Sequence, residues 1–122
     1  MPILQMRPIV PEQRDIIWID FEPQAGVEIK KRRPALVVSK TEFQERTGLV
    51  IVVPISKTVK DFPLHVNLTD CQTIGDILCE QPKSFDFDAR NWQFIEKLPK
   101  LQFIRVQEIL SAILDLDWDY ER

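Results

Sequence analysis

Glycine is scarce in this chain: the 122 residues hold only Gly26, Gly48 and Gly75. A glycine-rich phosphate cradle leading into a helix is therefore excluded. Cysteine stops at two, Cys71 and Cys79, and histidine at one, His65. Neither C-x-x-C nor H-E-x-x-H spacing occurs, so no metal and no other cofactor is expected. His65 has no evident nucleophile beside it, which removes a serine or cysteine triad; alternating with Val66, it reads as a strand residue. Both cysteines read as thiols, with Cys79 in the core. Long apolar runs are missing as well. The longest, Leu49 to Val53, is far below the roughly 18 residues that cross a bilayer. The opening Met-Pro-Ile-Leu-Gln-Met-Arg-Pro lacks the apolar stretch and small-residue site of a leader. A cytoplasmic protein with no membrane partner is expected. There is no surplus of positive charge either: 16 Lys and Arg face 19 Asp and Glu, a net −3. Any nucleic acid must then be held by a local patch rather than by the whole surface.

What the chain does have is proline, at nine positions, set among short β-branched runs. Its length and its 44% hydrophobic content suit one domain over residues 1–122. Pro2, Pro8 and Pro11 make residues 1–13 an extended arm. In Asp15–Phe21, Ile17, Ile19 and Phe21 share one face of a strand while Ile16, Trp18 and Asp20 share the other. A turn over Glu22–Gly26 leads to the cations Lys30, Lys31, Arg32 and Arg33, and Pro34 opens a second strand to Ser39. Ser39-Lys-Thr-Glu42 has capping-box spacing for a short helix that Gly48 ends. Leu49–Val53 is a buried strand, and Pro54 predicts an edge or a bulge. Further strands are expected at 63–68, 75–81 and 91–96. After Pro99 the period changes. Phe103, Val106, Leu110, Ile113 and Leu114 mark an amphipathic helix to about Asp115, and residues 116–122 form an acidic tail. Five or six strands and a terminal helix make a mainly β, α+β architecture, a small antiparallel barrel or half-barrel.

Three places could carry chemistry. The basic segment ends on Arg33, braced by Pro34. Pro54 is followed by Ser56-Lys57, and Pro82 by Lys83-Ser84, each a hydroxyl beside a lysine. With Glu28 and Glu80 as carboxylates, this set could handle a phosphodiester: fixed cations, a hydroxyl and a proton acceptor. The same residues also read as three unrelated solvated loops.

Taken in order, Asp15-Ile-Ile-Trp-Ile-Asp-Phe-Glu-Pro23, Gly26-Val-Glu28, Arg33-Pro-Ala-Leu-Val-Val-Ser39, Thr47-Gly48, Val53-Pro-Ile-Ser56 and Glu80-Gln-Pro-Lys-Ser84 with Arg90 resemble the MazF/PemK family of toxin endoribonucleases. The resemblance runs from about Ile16 to Ile113. It implies an SH3-like, CcdB/PemK-type barrel, a homodimer, and metal-independent cleavage of single-stranded RNA at short sequences. It also implies a cognate antitoxin whose C-terminal segment occupies the RNA groove. The family's catalytic arginine and hydroxyl fall on Arg33 and Ser56, the second usually threonine. Three departures stand out. Arg14 replaces a usual glycine, Val27 a histidine used by some members, and Leu78 an arginine found in others. Ile29-Lys30-Lys31-Arg32 also replaces the usual glycine- and glutamine-containing stretch.

Cleavage by the neighbouring 2′-OH needs a proton acceptor, charge compensation at phosphorus and a proton for the leaving oxygen. Guanidinium, with a pKa above about 12, suits the second task, so Arg33 is expected to offset charge. Ser56 is expected to bond a phosphate oxygen or relay a proton, and Glu28 to act as base, with Glu80 second. Lys30, Lys31, Arg32, Lys57 and Lys83 are expected to hold the RNA backbone. Glu80, Gln81 and Ser84 would read base edges, with Trp18 or Trp92 as a stacking surface. The tail Asp115–Glu121 is either solvated or an internal competitor for the basic groove. The competing class is a non-catalytic module of the same fold, a topoisomerase poison or a degenerate toxin.

Overall fold

A computed structural model describes residues 9–21, 32–58 and 61–115. Among them, seven strands and two α-helices follow the order β1 (Asp15–Asp20), β2 (Arg32–Val37), α1 (Thr41–Thr47), β3 (Leu49–Ser56), β4 (His65–Asn67), β5 (Asp76–Leu78), β6 (Lys83–Asp86), β7 (Gln93–Lys97) and α2 (Lys100–Leu114), with a 3-10 turn at Phe87–Arg90 between β6 and β7. The sheet runs β4-β5-β3-β2-β1-β7, with β6 also on β3, and these strands pair antiparallel. Over the described residues it does not close into a barrel. Instead α2 lays Phe103, Val106 and Ile109 over one face, against Ile16, Leu36, Val53, Leu68 and Ile77. The other face gathers Ile17, Ile19, Ala35, Val37, Val50, Val52, Phe85 and Phe87, with Phe21 packed alongside. The alternation expected for β1 is therefore kept. Burying such side chains stabilises the fold by about 1.5–3 kcal/mol each for the larger ones.

The long strand β3 changes partners along its length. Leu49–Val52 pairs with β6, while Ile55 and Ser56 pair with β5. Pro54 sits between those two ladders and, opposite Ala35, is the last β3 residue paired with β2, in a register that reaches it without a shift. Of the expected edge or bulge, the bulge does not form; the residue without an N–H instead stands where the β2 ladder ends. Pro82 likewise does not break a strand but separates β5 from β6, so Lys83 and Ser84 belong to a strand of their own. The register shift lies in β7, where Ile16 opposes Glu96 and Ile17 opposes Phe94, leaving Ile95 as the extra residue.

Local signals hold in part. Gly48 ends α1 at φ 73°, its N–H bonding the Gln44 carbonyl. The capping box does not form: Lys40 is the N-cap, and no side chain caps it. Ser39 instead donates to Gln44 Oε1 at 2.7 Å and accepts the Ile51 N–H at 2.9 Å, tying α1 to β3. β2 begins at Arg32, so Pro34 is its third residue and pairs with Trp18. In α2 the periodic residues reach beyond the core: Ile113 and Leu114 are exposed, and Ile109 is buried in their place. Arg14, at the position where the resemblance has glycine, adopts φ 80°, a left-handed backbone that costs a non-glycine residue about 1–2 kcal/mol.

Candidate active site

The β2–β3 ladder stops at Ala35 opposite Pro54. Beyond that pair β3 turns toward β5, and the fork between the strands opens into a cleft of about 620 Å³. Continuing the register by two residues sets Arg33 across from Ser56. Both line the cleft, with Trp18 from β1, Lys57 and Thr58 after β3, Gln72–Ile74 from the β4–β5 loop and Ile95 from β7. The sequence motif R-P and the hydroxyl after V-P thus come from separate strands to one concavity. The Arg33 guanidinium also lies 6.0 Å from the Phe21 ring centroid, the outer limit of a cation–π contact.

Trp18 is the exposed tryptophan at this site; Arg32 sits 5.9 Å above its ring and donates to Gln93 Oε1. Trp92 packs instead against the second core face, edge-on to Phe87. Of the two stacking candidates only Trp18 lines the cleft. Arg90 donates to the carbonyls of Asp20 at 3.2 Å and Phe21 at 3.0 Å, and Asn91 donates to Asp20 Oδ2 at 3.0 Å. These bonds fix the end of β1, where the chain leaves for the basic segment. Glu28, Lys30 and Lys31 lie outside the described residues, as does the tail after Asp115.

The remaining candidates are not gathered with Arg33. Lys83 and Ser84 are exposed on β6, opposite Val52 and Ile51. That is four to five residues from Ser56 along β3, roughly 13–17 Å at the usual strand rise. Glu80 Oε2 bonds His65 Nε2 at 2.9 Å, and Gln81 Nε2 reaches the same carboxylate at 3.4 Å. Burial pushes the Glu80 carboxyl up, but the bonds from His65, its own backbone and Gln81 together hold it below the ordinary range. A carboxylate so committed, and not lining the cleft, is a poor second base. His65 is partnered through one ring nitrogen, while Nδ1 is buried without a partner. Cys79 is buried, and its thiol is pushed up to about 11, first by burial and then by the Glu80 charge. Cys71 is likewise raised by burial and by Glu96 and Asp70. Neither thiol is a nucleophile near neutral pH.

One feature of the site had no local signal in the sequence. Glu96 accepts the N–H of Gln72 at 3.0 Å, the N–H of Thr73 at 2.7 Å and the Thr73 hydroxyl at 2.6 Å. Burial opposes its ionisation, yet those donors outweigh it and the carboxyl is held below the ordinary glutamate range.

Residues 12–114 match the family model described as the PemK-like, MazF-like toxin of type II toxin–antitoxin systems. The chain belongs to that family. The Escherichia coli K12 endoribonuclease toxin MazF is 37% identical over 81 residues, covering 66% of this chain and 73% of MazF. Endoribonuclease PemK of Escherichia coli is 31% identical over 108 residues, 84% of this chain and 81% of PemK. Among solved structures, a MazE–MazF crystal form from Deinococcus radiodurans superposes with a TM-score of 0.80 at 30% identity, over 88% of this chain and 98% of that one. The α+β fold with an antiparallel sheet and terminal helix is the fold of this toxin family. No helix among the described residues is long and apolar enough to cross a membrane.

Proposed function

We propose that this family member is the endoribonuclease toxin of a type II toxin–antitoxin pair and that the fork cleft is its active site. The substrate is single-stranded RNA. The 2′-oxygen attacks the adjacent phosphorus, its proton passing to a base, and the P–O5′ bond breaks. The departing oxygen takes a proton, leaving a 2′,3′-cyclic phosphate and a 5′-OH. Arg33 offsets the charge that develops on the phosphorane, and Ser56 donates to a non-bridging oxygen. Lys57 adds a second cation at the same mouth, and Trp18 offers the face on which a base stacks. Glu28 is the assigned base. Lys30, Lys31 and Arg32 hold the flanking phosphates. Glu80, Gln81, Lys83 and Ser84 lie away from the fork and meet the strand beyond the scissile step. The toxin acts as a homodimer in the cytoplasm and is held in check by its antitoxin.

The observation that carries this reading is the shared cleft: Arg33 and Ser56, 23 residues apart, line one concavity beside an exposed indole. A binding module needs no such pair. Mixed single-stranded RNA incubated with the protein in EDTA should yield discrete fragments bearing 5′-OH ends. RNA left intact, with gyrase arrested in the same preparation, would establish the non-catalytic alternative.

A further inference from the structure

The β4–β5 loop forms one wall of the cleft, yet residues 69–75 belong to none of the strand ladders. Two side chains from distant elements fasten it. Gln102 of α2 donates to the Thr69 carbonyl at 2.6 Å and accepts the Thr69 N–H at 3.2 Å. Glu96 of β7 takes the three bonds from Gln72 and Thr73 given above. Among the described residues, all of its hydrogen-bond partners are in this loop. The extra residue Ile95 explains the aim. Glu96 opposes Ile16, which belongs to the α2-covered face, and Ile95 packs against that same face. Two consecutive β7 residues thereby turn to the cleft side, as a bulge allows.

The loop ends on Gly75, whose φ of 136° and tight surroundings leave no room for a side chain. A Cβ there would stand 2.6 Å from the Ser56 carbonyl oxygen. The next residue, Asp76, pairs with Ser56 in the β3–β5 ladder. Whatever fixes the loop therefore fixes the backbone that carries the Ser56 hydroxyl.

We propose that Glu96 is a positioning residue: by latching Gln72 and Thr73 it holds the loop as a fixed cleft wall and, through Gly75, sets Ser56 for reaction. This rests on reading the fork cleft as the nuclease site. The carboxylate touches no substrate in this role. It acts by keeping the wall and the hydroxyl in register, where a displacement of about 1 Å is enough to cost up to 10²-fold in rate.

The test compares wild type with Glu96→Ala, Glu96→Gln and Thr73→Val. Cleavage of one mapped single-stranded RNA gives kcat and KM, and NMR hydrogen exchange follows the Gln72 and Thr73 amides. Glu96→Ala should lower kcat about tenfold with KM changed less than threefold, and should speed exchange at both amides. Glu96→Gln, which keeps one acceptor oxygen, should recover part of both losses. A wild-type kcat despite faster exchange would overturn the proposal, and so would unchanged amide protection. If Glu96→Ala does not fold, Thr73→Val decides: a fall in kcat supports the latch and an unchanged kcat refutes it. Arg33→Ala runs in parallel. Its wild-type cleavage would defeat the nuclease assignment of the cleft, while the amide exchange would still report on the latch.

Discussion

The two ends of β3 share a strand and differ in almost everything else. At Leu49–Val52 the strand is flanked by β6, and Val50 and Val52 are fully buried in the second core cluster. At Ile55–Ser56 it has left β2, gained β5 and opened a cleft beside Arg33. Cations and hydroxyls occur near both ends, as Lys83-Ser84 at the first and Ser56-Lys57 at the second. The second end pairs them with a concavity. A P-x-S-K or P-K-S string is thus not a site by composition; it becomes one where the ladder stops and backbone geometry leaves room for substrate.

That contrast can be broken in several places. Arg33→Ala should cut cleavage by about 10²–10³-fold, the usual loss for a charge-assisted donor at a developing oxyanion, with thermal stability close to wild type. Cleavage at the wild-type rate would remove Arg33 from the chemistry. Gly75→Ala should destabilise the fold by about 2–4 kcal/mol in urea titration, because the added methyl meets the Ser56 carbonyl and the backbone is left-handed. An unchanged midpoint would show that the loop yields freely and does not buttress Ser56. At the closed end, Lys83→Ala should leave kcat within about twofold of wild type. It should shift the log–log salt slope of RNA binding by about 0.7 or less, the share of one phosphate on a single strand. A kcat loss comparable to that of Arg33→Ala would move the active site toward β6. The smallest effect is on the scaffold itself. Arg14→Gly should stabilise the protein by about 0.5–1 kcal/mol, since glycine relieves the φ of 80° and gives back part of that gain as chain entropy. A lower melting temperature would mean that the Arg14 side chain contributes more than its backbone costs.

Much of this was legible from residue order. Period-two alternation in Asp15–Phe21 placed its two faces, Gly48 stopped α1, and the R-P and V-P-x-S strings marked Arg33 and Ser56. The misreadings share a cause: each depended on what a segment meets in space. Pro54 and Pro82 look alike in sequence, yet one marks a change of partner inside a strand and the other a link between strands. Ile113 and Leu114 keep helical spacing with Phe103 and Val106 but extend past the sheet that buries those two. Ser39 had capping-box spacing, and the buried Gln44 and the Ile51 amide claimed its hydroxyl instead. Glu96 was invisible because its partners lie 23 and 24 residues away and two of the three are backbone amides.

The central claim is that Arg33 and Ser56 act together on one phosphodiester, and a double-mutant cycle on cleavage measures that directly. Arg33→Ala, Ser56→Ala and the pair are assayed as kcat/KM on one mapped RNA site. Groups that serve the same transition state as a unit should be non-additive, with a coupling of about 1 kcal/mol or more and a double mutant little worse than Arg33→Ala alone. Losses that add to within about 0.5 kcal/mol would contradict the account.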